Sequence, residues 1–241
     1  MTEQTHQMRN AVEMPKSAVL LHGLAARAVR MIPTIGDKLI NAGDVANYVQ
    51  WQSSAFSQPV ELLWKREALW ERMADRIDRS RPLFVLEFGV AWGYATEHWL
   101  QLLAGRDVEW HGFDRFTGLP GGWRGMPEGT FDASGNVPAI DDPRVNWHVG
   151  DVEDTIGDLD LSSARDAQWM ILFDLDLYEP TALAWRVLAP MLKAGDLLYF
   201  DEAIDADERR VLDEMVLTDG IYSPIGATTL ALGLEVTRPP S

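Results

Sequence analysis

Glu87-Phe88-Gly89-Val90-Ala91-Trp92-Gly93 is the stretch on which the fold turns. It closes a short apolar run, Leu83 to Phe88, and opens a helical stretch that continues through Leu103. A strand that becomes a helix over glycines lets a nucleotide-type ligand lie against bare backbone. The acid ahead of the first glycine suits a cationic amino group better than a pyrophosphate. The GxGxxG pattern of nicotinamide enzymes is absent. Together these features favour S-adenosylmethionine over a dinucleotide, with Glu87, Gly89 and Gly93 as contacts. Two glycines at a turn also serve plain chain geometry, so the motif needs support from elsewhere.

That support comes from the strands that follow. Val108 to Phe113, Val145 to Val149, Trp169 to Phe173 and Asp196 to Phe200 read as strands. Helical segments fill the gaps: weakly over Asp154 to Leu159, well over Thr181 to Leu192 and Asp205 to Val216. Apolar strands alternating with helices predict a parallel sheet covered on both faces, with ligands at the carboxyl ends of the strands. Ile221 to Ile225 and Thr229 to Val236 have no room for a helix between them. They predict a hairpin turned by Gly226 and Ala227. The expected fold is therefore α/β, a Rossmann-like class I methyltransferase architecture with a mostly parallel seven-stranded sheet and a C-terminal antiparallel hairpin.

Residues 1–80 read as an N-terminal helical extension or lid, and 81–241 as the cofactor-binding core. Within the extension, Ala18 to Met31 and Glu61 to Arg79 are helical by apolar spacing, with Asn41 to Pro59 as loop. Thr117 to Pro143, with six glycines around Trp123 and Phe131, fits no regular element and reads as a substrate-side flap.

The chemistry-bearing residues sit at strand ends. Asp114 ends the second strand, where an acid accepts both ribose hydroxyls. Asp151, after the third, either accepts from the adenine amino group or caps the next helix; both readings stay open. Asp174 and Asp176 follow the fourth strand, in Asp174-Leu175-Asp176-Leu177-Tyr178-Glu179-Pro180, and Asp201-Glu202 end the fifth. Asp174, Asp201 and Glu202 converge if those strands are neighbours. Carboxylates so placed repel one another unless a cation joins them. An all-oxygen donor set selects magnesium, manganese or calcium.

These residues, with Gly112-Phe113-Asp114-Arg115-Phe116-Thr117-Gly118-Leu119-Pro120, resemble the macrocin O-methyltransferase family over roughly Leu83 to Asp205. Members methylate hydroxyls on sugars of macrolides and related natural products. The resemblance implies S-adenosylmethionine and Mg²⁺ as cofactors. It implies Asp174, Asp201 and Glu202 as metal ligands, Asp176 as catalytic base and a homo-oligomer, dimer or larger. Asp174 also counts among the cofactor contacts. Two stretches depart from the family pattern. Asp201-Glu202-Ala203 stands where relatives carry two aspartates and an aromatic, and Tyr94-Ala95-Thr96 stands where they favour glycine and serine. The mechanism so implied is chelation of a vicinal diol, deprotonation by Asp176 and in-line methyl transfer to a small-molecule hydroxyl acceptor.

Other readings compete. A metal-dependent glycosyltransferase also uses Asp-x-Asp, but leaves Glu87, Asp114 and the hairpin without a role. A catechol-type O-methyltransferase would carry lysine at Leu177. A dimer partner with a decayed site would not keep every candidate ligand. His22, His98, His111 and His148 are rival bases whose ordinary roles are surface or core, and Trp51, Trp92 and Trp123 are candidate walls of an acceptor pocket.

A net charge of −16 repels phosphate backbones and anionic lipid, so neither nucleic acid nor membrane is an expected partner. The chain has no cysteine, which excludes thiol nucleophiles, disulfides and zinc–thiolate sites. No apolar run approaches the roughly 18 residues that span a bilayer. A cytoplasmic location is the default expectation.

Overall fold

The structure, a computed structural model, describes residues 33–161 and 163–240. The helix expected over Ala18 to Met31, and His22 with it, lie outside them.

Seven strands form one sheet. They are β1 (Leu83–Phe88), β2 (Val108–Asp114), β3 (Val145–Val149), β4 (Gln168–Phe173), β5 (Leu197–Phe200), β6 (Ile221–Ala227) and β7 (Leu232–Arg238). Their order is β3-β2-β1-β4-β5-β7-β6. β1 to β5 run parallel, and β7 enters antiparallel between β5 and β6. This is the expected Rossmann-like fold with its terminal hairpin. The hairpin turn falls later than the sequence suggests. Gly226 and Ala227 lie within β6, and the chain reverses over Thr228 to Ala231. There the Thr228 hydroxyl accepts from the backbone N–H groups of Leu230 and Ala231. A side-chain acceptor at Thr228 closes the turn that glycine was expected to supply.

Six α-helices of at least four residues lie among the described residues: α1 (Pro33–Ala55), α2 (Arg66–Ala74), α3 (Tyr94–Leu102), α4 (Val152–Thr155), α5 (Tyr178–Leu188) and α6 (Ala206–Val211). One sheet face carries Val85, Trp110, Met170 and Tyr199 and packs on Leu69, Trp70, Met73 and Trp99 from α2 and α3. The other carries a row of four phenylalanines in direct register, Phe113, Phe88, Phe173 and Phe200. Their rings stack at 4.8, 5.8 and 4.7 Å between centroids across four strands.

The segment before β1 differs from expectation in two places. Asn41 to Ala55, expected as loop, is helical within α1. Its polar, glycine-containing sequence has weak helix propensity, yet Tyr48 and Gln52, one turn apart, are buried. Burial of that stripe overrides propensity. The helix expected over Glu61 to Arg79 shortens to α2. Residues 61–63 are extended instead and exchange backbone hydrogen bonds with Ala227 on β6 (2.7 and 2.9 Å). Tyr48 to the C-terminus forms one compact unit.

Candidate active site

The phenylalanine row sets the site. The residue after each ring is Asp114, Gly89, Asp174 or Asp201. Parallel register places these four side by side at the carboxyl edge, with neighbouring strands about 4.8 Å apart. The ladder extends one step into the turns: Gly89 N–H donates to Phe113, Asp174 N–H to Phe88 and Asp201 N–H to Phe173, at 2.8–3.0 Å. A cleft of about 420 Å³ opens over this row. The glycine turn, Asp114, Asp151, Asp174, Asp176, Asp201, Glu202 and the flap residues Leu119, Trp123 and Phe131 form its walls.

Gly89 adopts φ +88°, and a Cβ there would lie 1.7 Å from the Asp174 carbonyl oxygen. Gly93 adopts φ +82°, and its Cβ would meet the Pro138 ring at 2.8 Å. The first glycine is thus required where β1 crosses the end of β4. The second is required where the flap packs, and it stands off the cleft wall. Glu87 also stands off it. It is 1% exposed, and its Oε2 accepts from Thr96 Oγ1 (2.6 Å) and Trp110 Nε1 (2.9 Å), tying α3 to β2. Its Oε1 is buried with no partner among the described residues. Burial pushes the Glu87 carboxyl up to about 7.

Asp114 is held by backbone. Its Oδ2 accepts from the N–H groups of Val90 and Ala91 (2.8 and 2.7 Å), and its Oδ1 from Phe116 (2.6 Å). The carboxylate therefore braces the glycine turn and keeps lone-pair capacity on Oδ1 toward the cleft. Asp151 begins α4 without side-chain capping and pairs with Arg115 at 3.2 Å. Capping, one of its two candidate roles, is not what its side chain does.

At the other end of the cleft the acids crowd. Burial, then Asp201 and Asp176, hold the Asp174 carboxyl well above the usual range. Asp176 is 6% exposed and adopts φ +62° in a tight three-residue turn, with Leu177 N–H returning to the Leu175 carbonyl at 2.7 Å. A left-handed non-glycine residue of this kind costs of order 1 kcal/mol and persists only where its surroundings hold it. Burial, then Asp201 and Asp205, push Asp176 up to about 7. Glu202 also rises to about 7, from burial and then Asp201, against Arg124.

Two arginines answer part of this charge, and the sequence reading missed both. Arg124, on the flap, bridges Glu202 (3.0 Å) and Asp205 (3.1 Å). Arg66, at the start of α2, stands 3.6 Å from Asp201, whose other oxygen accepts from Tyr199. Behind them lies Glu208, fully buried, with one oxygen accepting from Glu202 N–H (3.0 Å) and the other without a partner among the described residues. Asp205 and Glu208 follow Asp201 closely enough to have been flagged as acids of one turn; Arg66 has no sequence signal. The structure brings Asp174, Asp176, Asp201 and Glu202 to one wall. Among the described residues, however, no three acidic or histidine side chains form a ready ligand set for a metal ion.

The remaining candidates separate cleanly. Trp92 and Trp123 line the cleft on either side of Phe131, at 6.3 Å each. Trp51 does not; it donates to Asp213. His98, His111 and His148 stand away from the cleft, the last two joined at 2.9 Å between β2 and β3. No helix among the described residues is long and apolar enough to cross a membrane.

No family model matches the chain, and no curated protein matches it. Solved structures do. The calicheamicin methyltransferase CalS11 superposes with a TM-score of 0.54 at 22% identity, over 70% of this chain and 76% of that one. A second, apo structure of CalS11, there described as a TDP-rhamnose 3′-O-methyltransferase, gives 0.50 over the same shares. The O-methyltransferase NovP gives 0.52 at 19% identity, over 72% of this chain and 80% of that one. The fold is the one these O-methyltransferases have.

Proposed function

We propose that the chain is an S-adenosylmethionine-dependent O-methyltransferase, assisted by Mg²⁺, that acts on a small-molecule hydroxyl, a sugar hydroxyl of a glycosylated natural product. The observation that carries this is the row Asp114–Gly89–Asp174–Asp201. It gives one cleft a nucleoside-binding end and an acid-rich end. The fold shared with CalS11 and NovP agrees, as do the motifs that resemble the macrocin O-methyltransferases.

The donor set fits a hard divalent ion in chemistry, though not as a closed cage. Asp174, Asp176, Asp201, Glu202 and Asp205 bring five carboxylates against the two guanidinium groups of Arg66 and Arg124. No described donor hydrogen-bonds the Asp174 or Asp176 side chains, so their ionised forms call for a cation at the cleft wall. Asp174 and Asp201 would hold the ion, with Glu202 joining once Arg124 releases it. A bound Mg²⁺ there supplies a Lewis acid that lowers the pKa of an acceptor hydroxyl.

The chain's own residues supply the rest. Asp114 and the glycine turn orient the donor's ribose. Asp176, aimed into the cleft by its strained turn, takes the hydroxyl proton onto its carboxylate. Trp92, Phe131 and Trp123 form an apolar wall for the acceptor and exclude water. Holding donor and acceptor in line contributes several kcal/mol of acceleration.

The test is direct. Calorimetry with S-adenosylhomocysteine should show one site per chain. Methyl transfer to a panel of glycosides should stop in EDTA and return with Mg²⁺. Transfer that continues undiminished in EDTA ends the metal reading, and absence of any nucleoside binding ends the whole assignment.

A further inference from the structure

We infer that Arg66 grips the α-carboxylate of the methyl donor's amino-acid tail. This rests on the S-adenosylmethionine reading above and names a binding residue that reading does not contain.

Arg66 is an unusual cation. It begins α2, outside every strand-end motif, yet it lines the cleft. Its guanidinium lies over the rings of Trp70 (5.3 Å) and Tyr94 (5.1 Å). Stacking on aromatic faces fixes a planar guanidinium and leaves its N–H edge free for a carboxylate fork. That edge is scarcely used. Among the described residues its one ionic contact is Asp201 at 3.6 Å, beyond hydrogen-bonding reach, and it donates no hydrogen bond. A rigid, half-exposed fork with free donors in a cleft wall is built to receive an oxyanion.

Position selects which oxyanion. Tyr94 opens α3 directly after the glycine turn and lines the cleft with Arg66. Arg66 stands 3.6 Å from Asp201, at the tip of β5. The guanidinium is therefore on the β5 side of the cleft, with β1 and β4 between that strand and Asp114 on β2. A nucleoside whose ribose meets Asp114 extends its 5′ substituent in that direction. An amino-acid tail carries a carboxylate there, and Arg66 offers it the complementary fork. Arg115, nearer Asp151, and Arg124, held by Glu202 and Asp205, are already paired. Glu87, expected from sequence to meet the ammonium, is enclosed by Thr96 and Trp110 instead.

The experiment compares two nucleosides that differ only in the tail. S-adenosylhomocysteine carries the amino acid; 5′-methylthioadenosine does not. Calorimetric affinities are measured for the wild type, Arg66→Met, which keeps the apolar stem on Trp70, and Arg66→Lys, which keeps the charge without the fork. Arg66→Met should weaken S-adenosylhomocysteine by about 10- to 100-fold, the loss of a charge-assisted pair. It should change 5′-methylthioadenosine by less than about threefold, and Arg66→Lys should fall between. Should Arg66→Met prove unfolded by thermal melt, Arg66→Lys carries the same comparison. Equal loss on both ligands, or loss on neither, overturns the inference. So does a rise in acceptor KM with unchanged S-adenosylhomocysteine affinity, which would put Arg66 on the acceptor. A wild type that binds neither nucleoside overturns the cofactor assignment as well.

Discussion

The two ends of the cleft treat their carboxylates in opposite ways. Asp114 accepts three backbone N–H groups and is fully supported by the turn it braces. Asp174, Asp176, Asp201 and Glu202 stand two residues or one strand apart; burial pushes every one of them upward, and repulsion from Asp201 adds to it at Asp174, Asp176 and Glu202. The same residue type, on the same strand edge, is a finished structural part at one end and an unmet demand for positive charge at the other. A carboxylate satisfied by the fold organises; a carboxylate opposed by its neighbours waits for a cation or a proton.

The largest expected effect tests the unsatisfied end. Asp176→Asn keeps the shape and the left-handed turn, which asparagine tolerates. It removes the proposed proton acceptor. Turnover should fall by about 10²- to 10⁴-fold while S-adenosylhomocysteine affinity holds within about threefold, read by kcat against calorimetric Kd. A fall in affinity of the same size would make Asp176 a binding residue.

Glu87 belongs to neither end, and it sharpens the contrast because it too is a raised acid, yet far from any cation. Its carboxyl sits at about 7 in the fold against 4.5 when free. Below pH 4.5 both states hold the proton and nothing is lost. Between pH 4.5 and about 7 only the native state keeps it, so stability falls as pH rises, by about 3 kcal/mol in full. Glu87→Gln retains an acceptor for Thr96 and Trp110 and puts an amide where Oε1 has no partner. Urea midpoints should therefore show the variant gaining stability at pH 8 and nearly matching wild type at pH 4.5. An unchanged pH profile would mean that Glu87 is ionised and otherwise compensated.

At the satisfied end the effect is smaller. Asp114→Asn leaves one carbonyl oxygen for three N–H donors, so at least one buried donor loses its acceptor, at about 1–3 kcal/mol. The loss should appear in the thermal midpoint without added ligand. A variant as stable as wild type would show that the glycine turn holds itself.

Much of this was legible in the sequence because strand ends announce themselves. The pairs Phe88-Gly89, Phe113-Asp114, Phe173-Asp174 and Phe200-Asp201 repeat one plan, a buried ring followed by a site residue. Once the strands are parallel and in register the row follows. What stayed hidden depends on contacts between distant segments. Gly89 is needed for the Asp174 carbonyl, which no local pattern reveals. Glu87 looked like a ligand contact because its position suits one, but Thr96 and Trp110 enclose it. Arg66 and Arg124 come from a helix start and a glycine-rich flap, and only folding brings them over the acids. Residues 41–55 looked like loop from composition, while their helical stripe is decided by what buries Tyr48 and Gln52.

The smallest effect separates proton from metal at the acid end. Arg124 is half-exposed, so its bridge to Glu202 and Asp205 contributes about 1 kcal/mol after solvent screening. Arg124→Met removes the resident cation and leaves the cleft otherwise intact. The acids it neutralised must then be met by something else. At pH 8 the variant should melt a few degrees below wild type. Ten-millimolar-scale Mg²⁺ should raise its midpoint more than it raises that of wild type, since Glu202 no longer has to leave an arginine to reach the ion. If Mg²⁺ moves both midpoints equally, Arg124 and the metal do not compete for Glu202. The unsatisfied end of the cleft would then be a two-ligand site built on Asp174 and Asp201, with Glu202 serving the flap.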